Sequence, residues 1–270
     1  MVTGSIVLYN NNILDVKNAI QSFLKSEQEV RLFLIDNSEK DTFKNLNNDS
    51  RITYIFNNQN LGFGKAHNIA IKLAIKKNSS YHVVLNPDVY FDTLVIPKLY
   101  QFMEKNTDIG LTMPKVFFPN GDTQYICKLL PTPFNLILRR FLPKFKFLEK
   151  INHRFEMRFT QYQGIIDAPY LSGCFMFLRT ETLKELGGFN ENIFMYLEDT
   201  ELTRIIHKKY RTVMNCTVFI YHKWEKGSYK NKTLLRHNIQ SAIYYFNKWG
   251  WFFDTERKKI NKQILQKYKR

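Results

Sequence analysis

Sulfur is scarce in this chain. Its 270 residues include three cysteines, Cys127, Cys174 and Cys216, odd in number, far apart and without the spacing of a metal site. A disulfide framework is thereby excluded, and reduced, partly buried thiols in a cytosolic protein are expected. No apolar run reaches the length of a bilayer span, so any membrane contact is expected to be peripheral. Met1-Val2-Thr3 leads straight into a strand, without the basic flank and cleavage site of a secretory signal. Acidic residues are also few, 24 against 40 Lys plus Arg, and the net charge of +16 calls for an anionic partner: a nucleic acid, a phospholipid surface or a phosphorylated substrate. What is present is core material. At 44% hydrophobic and 15% aromatic residues, the composition is far from that of a disordered chain and fits one large α/β domain.

The charge is concentrated. Residues 128–158 carry a net +6 and residues 251–270 a net +5, which leaves the rest only modestly basic. Over 129–163, Phe, Leu and Ile interleave with Arg and Lys, and prolines at 131, 133 and 143 break the segment into short pieces. That pattern fits an amphipathic arm on an anionic membrane surface, and equally basic helices packed on the core with solvated charges.

Tyr81–Leu85 is a short apolar run that reads as a buried strand and stops at Asn86-Pro87-Asp88, where proline ends ladder pairing. In open α/β sheets, ligands bind beyond the carboxyl ends of strands, so Asp88 stands where a metal or phosphate would be held; Asn-Pro-Asp is also ordinary turn chemistry. Earlier strands are expected at Ser5–Tyr9, Arg31–Ile35 and Ile52–Phe56, alternating with helices, as in a Rossmann-like parallel sheet. Asp36 ends the second of these. Gly62 and Gly64 open a helix running to Lys76, a place where amides could meet an anion, though a lone Gly-x-Gly also suits a plain loop. Strand material at 109–113 and 116–118 precedes the turn signal Asn120-Gly121. A helix over 180–186 should stop at Gly187-Gly188. Glu198, Asp199 and Glu201 begin a helix ending at His207, where the helix dipole favours carboxylates whatever their chemistry. His222 closes a last strand over 218–221, and a helix spans 232–249.

In this order, Leu85-Asn86-Pro87-Asp88, Ser172-Gly173-Cys174, Gly187-Gly188-Phe189, Tyr196-Leu197-Glu198-Asp199 and His222 followed by Gly227-Ser228 resemble the family 2 glycosyltransferases of GT-A fold, above all the rhamnosyltransferase type. The resemblance covers about residues 5–246. It implies a mixed central sheet flanked by helices, with a basic arm and C-terminal helices. It also implies a single domain over 1–250, with a nucleotide-binding half (1–120), an acceptor-binding half (121–250, with the variable arm 129–165) and a basic tail (251–270).

Carried over by position, the resemblance implies that Tyr9 and Asn10 hold the nucleotide and that Asp36 accepts a hydrogen bond from its pyrimidine ring. Asn60, Gly62, Gly64 and Asn68 would line the nucleotide pocket. Asn86-Pro87-Asp88 falls at the DxD motif, with Asp88 binding Mg or Mn against the diphosphate; Asn86 replaces the first aspartate and leaves one carboxylate ligand. His222 would be the third ligand, although a histidine at a strand end is as readily a packing residue. Asp199 would be the general base of an inverting transfer, and Glu198 would orient the helix start or bind acceptor hydroxyls. Asn190 and Glu201 stand where many relatives have aspartate. The donor implied is a dTDP- or UDP-sugar, rhamnose first, and the acceptor a saccharide or lipid-linked saccharide in polysaccharide biosynthesis on the cytoplasmic membrane face.

Two other classes fit part of the sequence. A nucleic-acid binder would explain +16 and the aromatics, but no motif of that class occurs, and no nucleic acid is expected. A catalytically silent scaffold of the same fold would tolerate the weakened Asn86-Pro87-Asp88.

Overall fold

Five successive buried residues, Tyr81–Leu85, form the strand at the middle of the sheet, and a strand buried along its whole length is one covered on both faces. The computed structural model describes residues 1–138, 146–224 and 231–268. The elements are β1 (Val2–Leu8), α1 (Ile13–Leu24), β2 (Val30–Asp36), β3 (Ile52–Phe56), α2 (Phe63–Lys76), β4 (Tyr81–Leu85), β5 (Val89–Tyr90), α3 (Val95–Lys105) and β6 (Ile109–Phe117). Then follow β7 (Cys127–Lys128), α4 (Lys146–Phe155), β8 (Ile165–Asp167), β9 (Tyr170–Leu171), β10 (Phe175–Arg179), α5 (Thr180–Leu186), α6 (Glu198–His207), β11 (Arg211–His222), α7 (Lys232–Trp249) and α8 (Thr255–Lys267).

One sheet runs in the order β3-β2-β1-β4-β10-β6-β11-β5, with β8 also paired to β11. The ladders β3-β2-β1-β4 and β6-β11 are parallel, whereas β10 is antiparallel to both of its neighbours. The carboxyl ends of β1, β2, β4, β6 and β11 therefore share one edge with the amino end of β10. Among the described residues, no helix is long and apolar enough to cross a membrane.

One expectation changes. The pieces expected on either side of Pro114 are one strand, β6; its partner β11 slips register between Asn215 and Phe219, opposite the residue that has no N–H to give. The basic tail, 251–270, holds one of the expected C-terminal helices, Thr255–Lys267, and that helix is docked on the domain. Asp254 caps it, accepting from the Arg257 N–H (2.8 Å), and also receives both arms of Arg204 on α6 (2.7 and 2.8 Å). Arg204 is 1% exposed and lies over the Trp249 ring, 4.0 Å from its centroid. Asn261 pairs with both backbone groups of Leu130, each at 2.9 Å. Residues 139–145 of the expected arm lie outside the described residues.

Removing one partner of a buried ion pair strands the other charge. Asp254→Ala is predicted to cost about 3–5 kcal/mol in urea denaturation, and the double change Arg204→Met with Asp254→Leu to recover part of that loss. Equal stability of wild type and Asp254→Ala would show that α8 is not held this way.

Candidate active site

The amino end of β10 joins the parts of the shared edge. Asn86, just past β4, donates its N–H to the Cys174 carbonyl (2.9 Å), extending the β4–β10 ladder by one bond. One residue earlier, the Gly173 N–H donates to Asp199 Oδ2 (2.9 Å). The approach is close enough that a Cβ on Gly173 would sit 3.2 Å from the Phe63 ring and 3.3 Å from Asp199 Cβ. Asp199 Oδ1 accepts from the Thr200 N–H (2.6 Å), so helix start and strand start hold the carboxylate together. Positions 86 and 199 are thus two backbone steps apart through space.

Asp88 and His222 meet at the same edge. β5 pairs with β11 so that Val89 faces His222, and this brings Asp88 Oδ1 to 3.4 Å from His222 Nε2. The Asn86 amide nitrogen also lies 3.4 Å from Nε2. The Trp224 N–H donates to Asp88 Oδ2 (3.2 Å). Gln124 sets the ring: its Nε2 donates to the His222 carbonyl (2.6 Å), which leaves its Oε1 to accept from His222 Nδ1 (3.0 Å) and turns Nε2 toward Asp88.

These residues fit a divalent cation. Two ligands held about 2.1 Å from one ion lie roughly 3.0–3.4 Å apart, and the Asp88–His222 separation of 3.4 Å falls there. A metal-binding histidine ordinarily gives its other N–H to an oxygen acceptor, as His222 does to Gln124. Among the described residues, no group of three His, Cys, Asp or Glu side chains assembles that could hold a metal. Two protein ligands suit a hard cation whose remaining positions go to phosphate and water.

Electrostatics separate the carboxyl groups. At Asp88 burial works upward, but His222 and the Trp224 N–H outweigh it and hold the carboxyl below the usual range. At His222 burial works downward, yet Cys174 and Asp88 outweigh it and lift the imidazole to about 10. Burial raises Asp199 above its ordinary value, against the Gly173 and Thr200 N–H groups and the charge of Lys128. Glu198 is pushed up further, by burial first and by the Asp199 charge second.

Several expected positions do something else. Asp36 is fully buried; its oxygens accept from the Ser38 N–H (2.8 Å) and the Tyr54 hydroxyl (2.6 Å). Asn68 is buried too, accepting from the Phe189 N–H (2.9 Å) and donating to the Phe189 carbonyl (2.8 Å). It braces a loop and does not line a pocket. Gly62 and Gly64 are buried against that loop: a Cβ on Gly62 (φ +80°) would lie 2.2 Å from the Phe194 carbonyl, and one on Gly64 2.7 Å from Phe189 Cβ. The Phe194 carbonyl already takes the Phe63 N–H (2.9 Å) at the start of α2, so this helix start is covered and is not an open anion site. Glu198 is 5% exposed, and its Oε2 is sealed from solvent. Tyr9 (43% exposed) and Asn10, in left-handed conformation, do stand open past β1, and Asn60 is half-buried. Gly227-Ser228 lie outside the described residues.

The sequence reading passed over Gln124, Lys128 and Trp224. Gln124 carries no motif, though it follows the Asn120-Gly121 turn that delivers it. Lys128 sits on β7, hidden within a basic run, and its charge reaches Asp199. In carbon-13 NMR of labelled carboxyls, Asp199 is predicted to titrate above about 3.9, the ordinary aspartate value. Lys128→Met should raise it further, because a nearby cation favours the charged form. Titration of Asp199 at or below the ordinary value would contradict this electrostatic picture.

Comparison with known proteins places the geometry. No curated protein matches the chain, but many solved structures do. TarS from S. aureus (residues 1–349) aligns with a TM-score of 0.60 at 16% identity, over 98% of this chain and 70% of that one. GalNAc-T7, in a structure with UDP, GalNAc and Mn2+, aligns with a TM-score of 0.63 at 15% identity, over 90% of this chain and 47% of that one. The mannosyltransferase PcManGT from Pyrobaculum calidifontis, in complex with GDP-Man and Mn2+, aligns with a TM-score of 0.59 at 13% identity, over 98% and 74%. Likeness at such low identity establishes the fold, which is GT-A. The model of the family described as "Glycosyl transferase family 2" matches residues 5–187. Spanning β1 through α5 and the strand ends at Asn86 and Gly173, that match makes the chain a member of glycosyl transferase family 2.

Proposed function

We propose that this glycosyltransferase works by inversion, moving a sugar from a dTDP- or UDP-sugar to a hydroxyl of a saccharide or lipid-linked saccharide in cell-surface polysaccharide biosynthesis. Rhamnose is the first donor to test. The carrying observation is the double attachment of the β10 start, to Asn86 on one side and to Asp199 on the other. On this reading a base and a diphosphate-side cluster work at one edge of the sheet, and those two bonds support it.

Asp199 takes the proton of the acceptor hydroxyl as that oxygen attacks the anomeric carbon. The bond from that carbon to the diphosphate oxygen breaks on the opposite face, and nucleoside diphosphate departs. A carboxylate whose pKa burial raises is suited to this step, since a base works best with a pKa near the working pH. The Gly173 and Thr200 N–H groups fix its direction and stabilise its charged form. Asp88 and His222 would hold Mg or Mn, which would neutralise charge on the departing diphosphate. GalNAc-T7 with UDP and Mn2+ and the mannosyltransferase with GDP-Man and Mn2+ support a nucleotide donor and a divalent ion. With Asp36 enclosed, contact with the nucleotide base falls to the open Tyr9 and Asn10.

Turnover of a sugar-nucleotide panel tests this reading. Asp199→Asn is predicted to lose about 10²–10⁴-fold in kcat with donor binding retained, and Asp88→Ala to lose the Mn-dependent part of donor binding. Wild-type turnover in both variants would remove the mechanism. Intact fold with no nucleotide binding in the presence of Mn would favour a silent scaffold.

A further inference from the structure

Away from the strand-end cleft, an open groove of 860 Å³ runs between residues 132–134, the end of α4 and one face of α8. Its volume lies in the range of ligand pockets, roughly 300–1,000 Å³. Phe134, Trp251, Phe252 and Leu265 supply apolar wall. Arg154, Lys258 and Lys262 are exposed along the rim, and no acidic residue among the described ones lines the groove. At its mouth Phe252 and Phe253 are 71% and 90% exposed.

These two phenylalanines are held in place. They lie between Gly250, whose φ of +97° turns the chain, and Asp254, which is clamped to Arg204. Trp251 is tied by its Nε1–H to Asn247 Oδ1 (2.8 Å). A rigid aromatic tip in water is costly unless something apolar receives it. Its receiver must also welcome cations.

We propose that this groove and the Phe252–Phe253 tip dock onto an anionic phospholipid bilayer. Lipid phosphates meet Arg154, Lys258 and Lys262, and the two rings enter the boundary between headgroups and acyl chains. Charge complementarity selects this occupant. A second copy pairing through the same face would set a cationic rim against itself in a chain of net charge +16. The inference rests on the proposed function only for its purpose. Residues 128 to 132 span at most about 14 Å, so a bilayer held at the groove sets headgroup-borne acceptors near Lys128 and Asp199.

The test is flotation of the full chain with vesicles of equal parts phosphatidylglycerol and phosphatidylcholine, against pure phosphatidylcholine. Wild type is expected to bind the anionic vesicles and not the neutral ones. Phe252→Ser with Phe253→Ser, and separately Lys258→Glu with Lys262→Glu, should each weaken binding by at least about tenfold. Turnover of a soluble acceptor should stay at the wild-type rate in both. Equal binding by wild type and the phenylalanine pair would overturn the proposal by reducing the effect to unspecific attraction of a basic protein. So would indifference to vesicle charge, or dimerisation through this face without vesicle binding. Vesicle binding that survives in an Asp199→Asn variant of unchanged turnover would refute the transfer mechanism and leave the docking surface standing.

Discussion

The site depends on one piece of backbone, Gly173-Cys174, at the start of the antiparallel strand inserted into an otherwise largely parallel sheet. Its carbonyl at Cys174 takes the Asn86 N–H, and its N–H at Gly173 goes to Asp199. Without that reversal of direction, α6 would have no backbone donor at the carboxyl edge of β4. A side chain at 173 would press on both Phe63 and Asp199 Cβ, so the short distance between Asp199 and the strand end requires glycine. Parallel strands bring ligand-binding ends to one edge by topology; the antiparallel one ties α6 to that edge.

A second layer orients what the strands deliver. Gln124 grips His222 by its carbonyl and by Nδ1, so one amide decides which ring nitrogen looks at Asp88. Asn68 plays a similar part for the loop at Phe189, and the absent Cβ atoms of Gly62 and Gly64 let that loop lie on α2. On the far side of α6, Arg204 joins that helix to Asp254 and the C-terminal helix. The same helix thus carries Asp199 at one end and anchors the aromatic tip through its body.

Much of the fold was legible. Tyr81–Leu85, Ile52–Phe56, Thr180–Leu186 and Lys232–Trp249 have the bounds that apolar runs, helical periodicity and terminating glycines indicate. The docking of the C-terminal helix was not, because its buried stripe is reduced to Arg257, Ile260 and Ile264 among cations. At the site, a carboxylate at a strand end was readable, but not what surrounds it. Asp36 and Asp88 have the same local signature; Tyr54 on the neighbouring strand and Ser38 close the first, while the turn at Pro87 leaves the second open. That difference lies in register across strands, which no local pattern encodes. Glycines 62 and 64 were visible as well, but whether missing side chains admit a phosphate or a loop depends on residues more than a hundred positions away.

The central claim is that Asp88 and His222 face one ion beside the carboxylate of Asp199. Anomalous diffraction from crystals grown with UDP and Mn tests it most directly. The account predicts one manganese peak within about 2.3 Å of an Asp88 oxygen and His222 Nε2, in contact with the UDP diphosphate and on the Asp199 side of the sheet edge. Manganese bound elsewhere, or UDP seated away from the ends of β4 and β11, would contradict it.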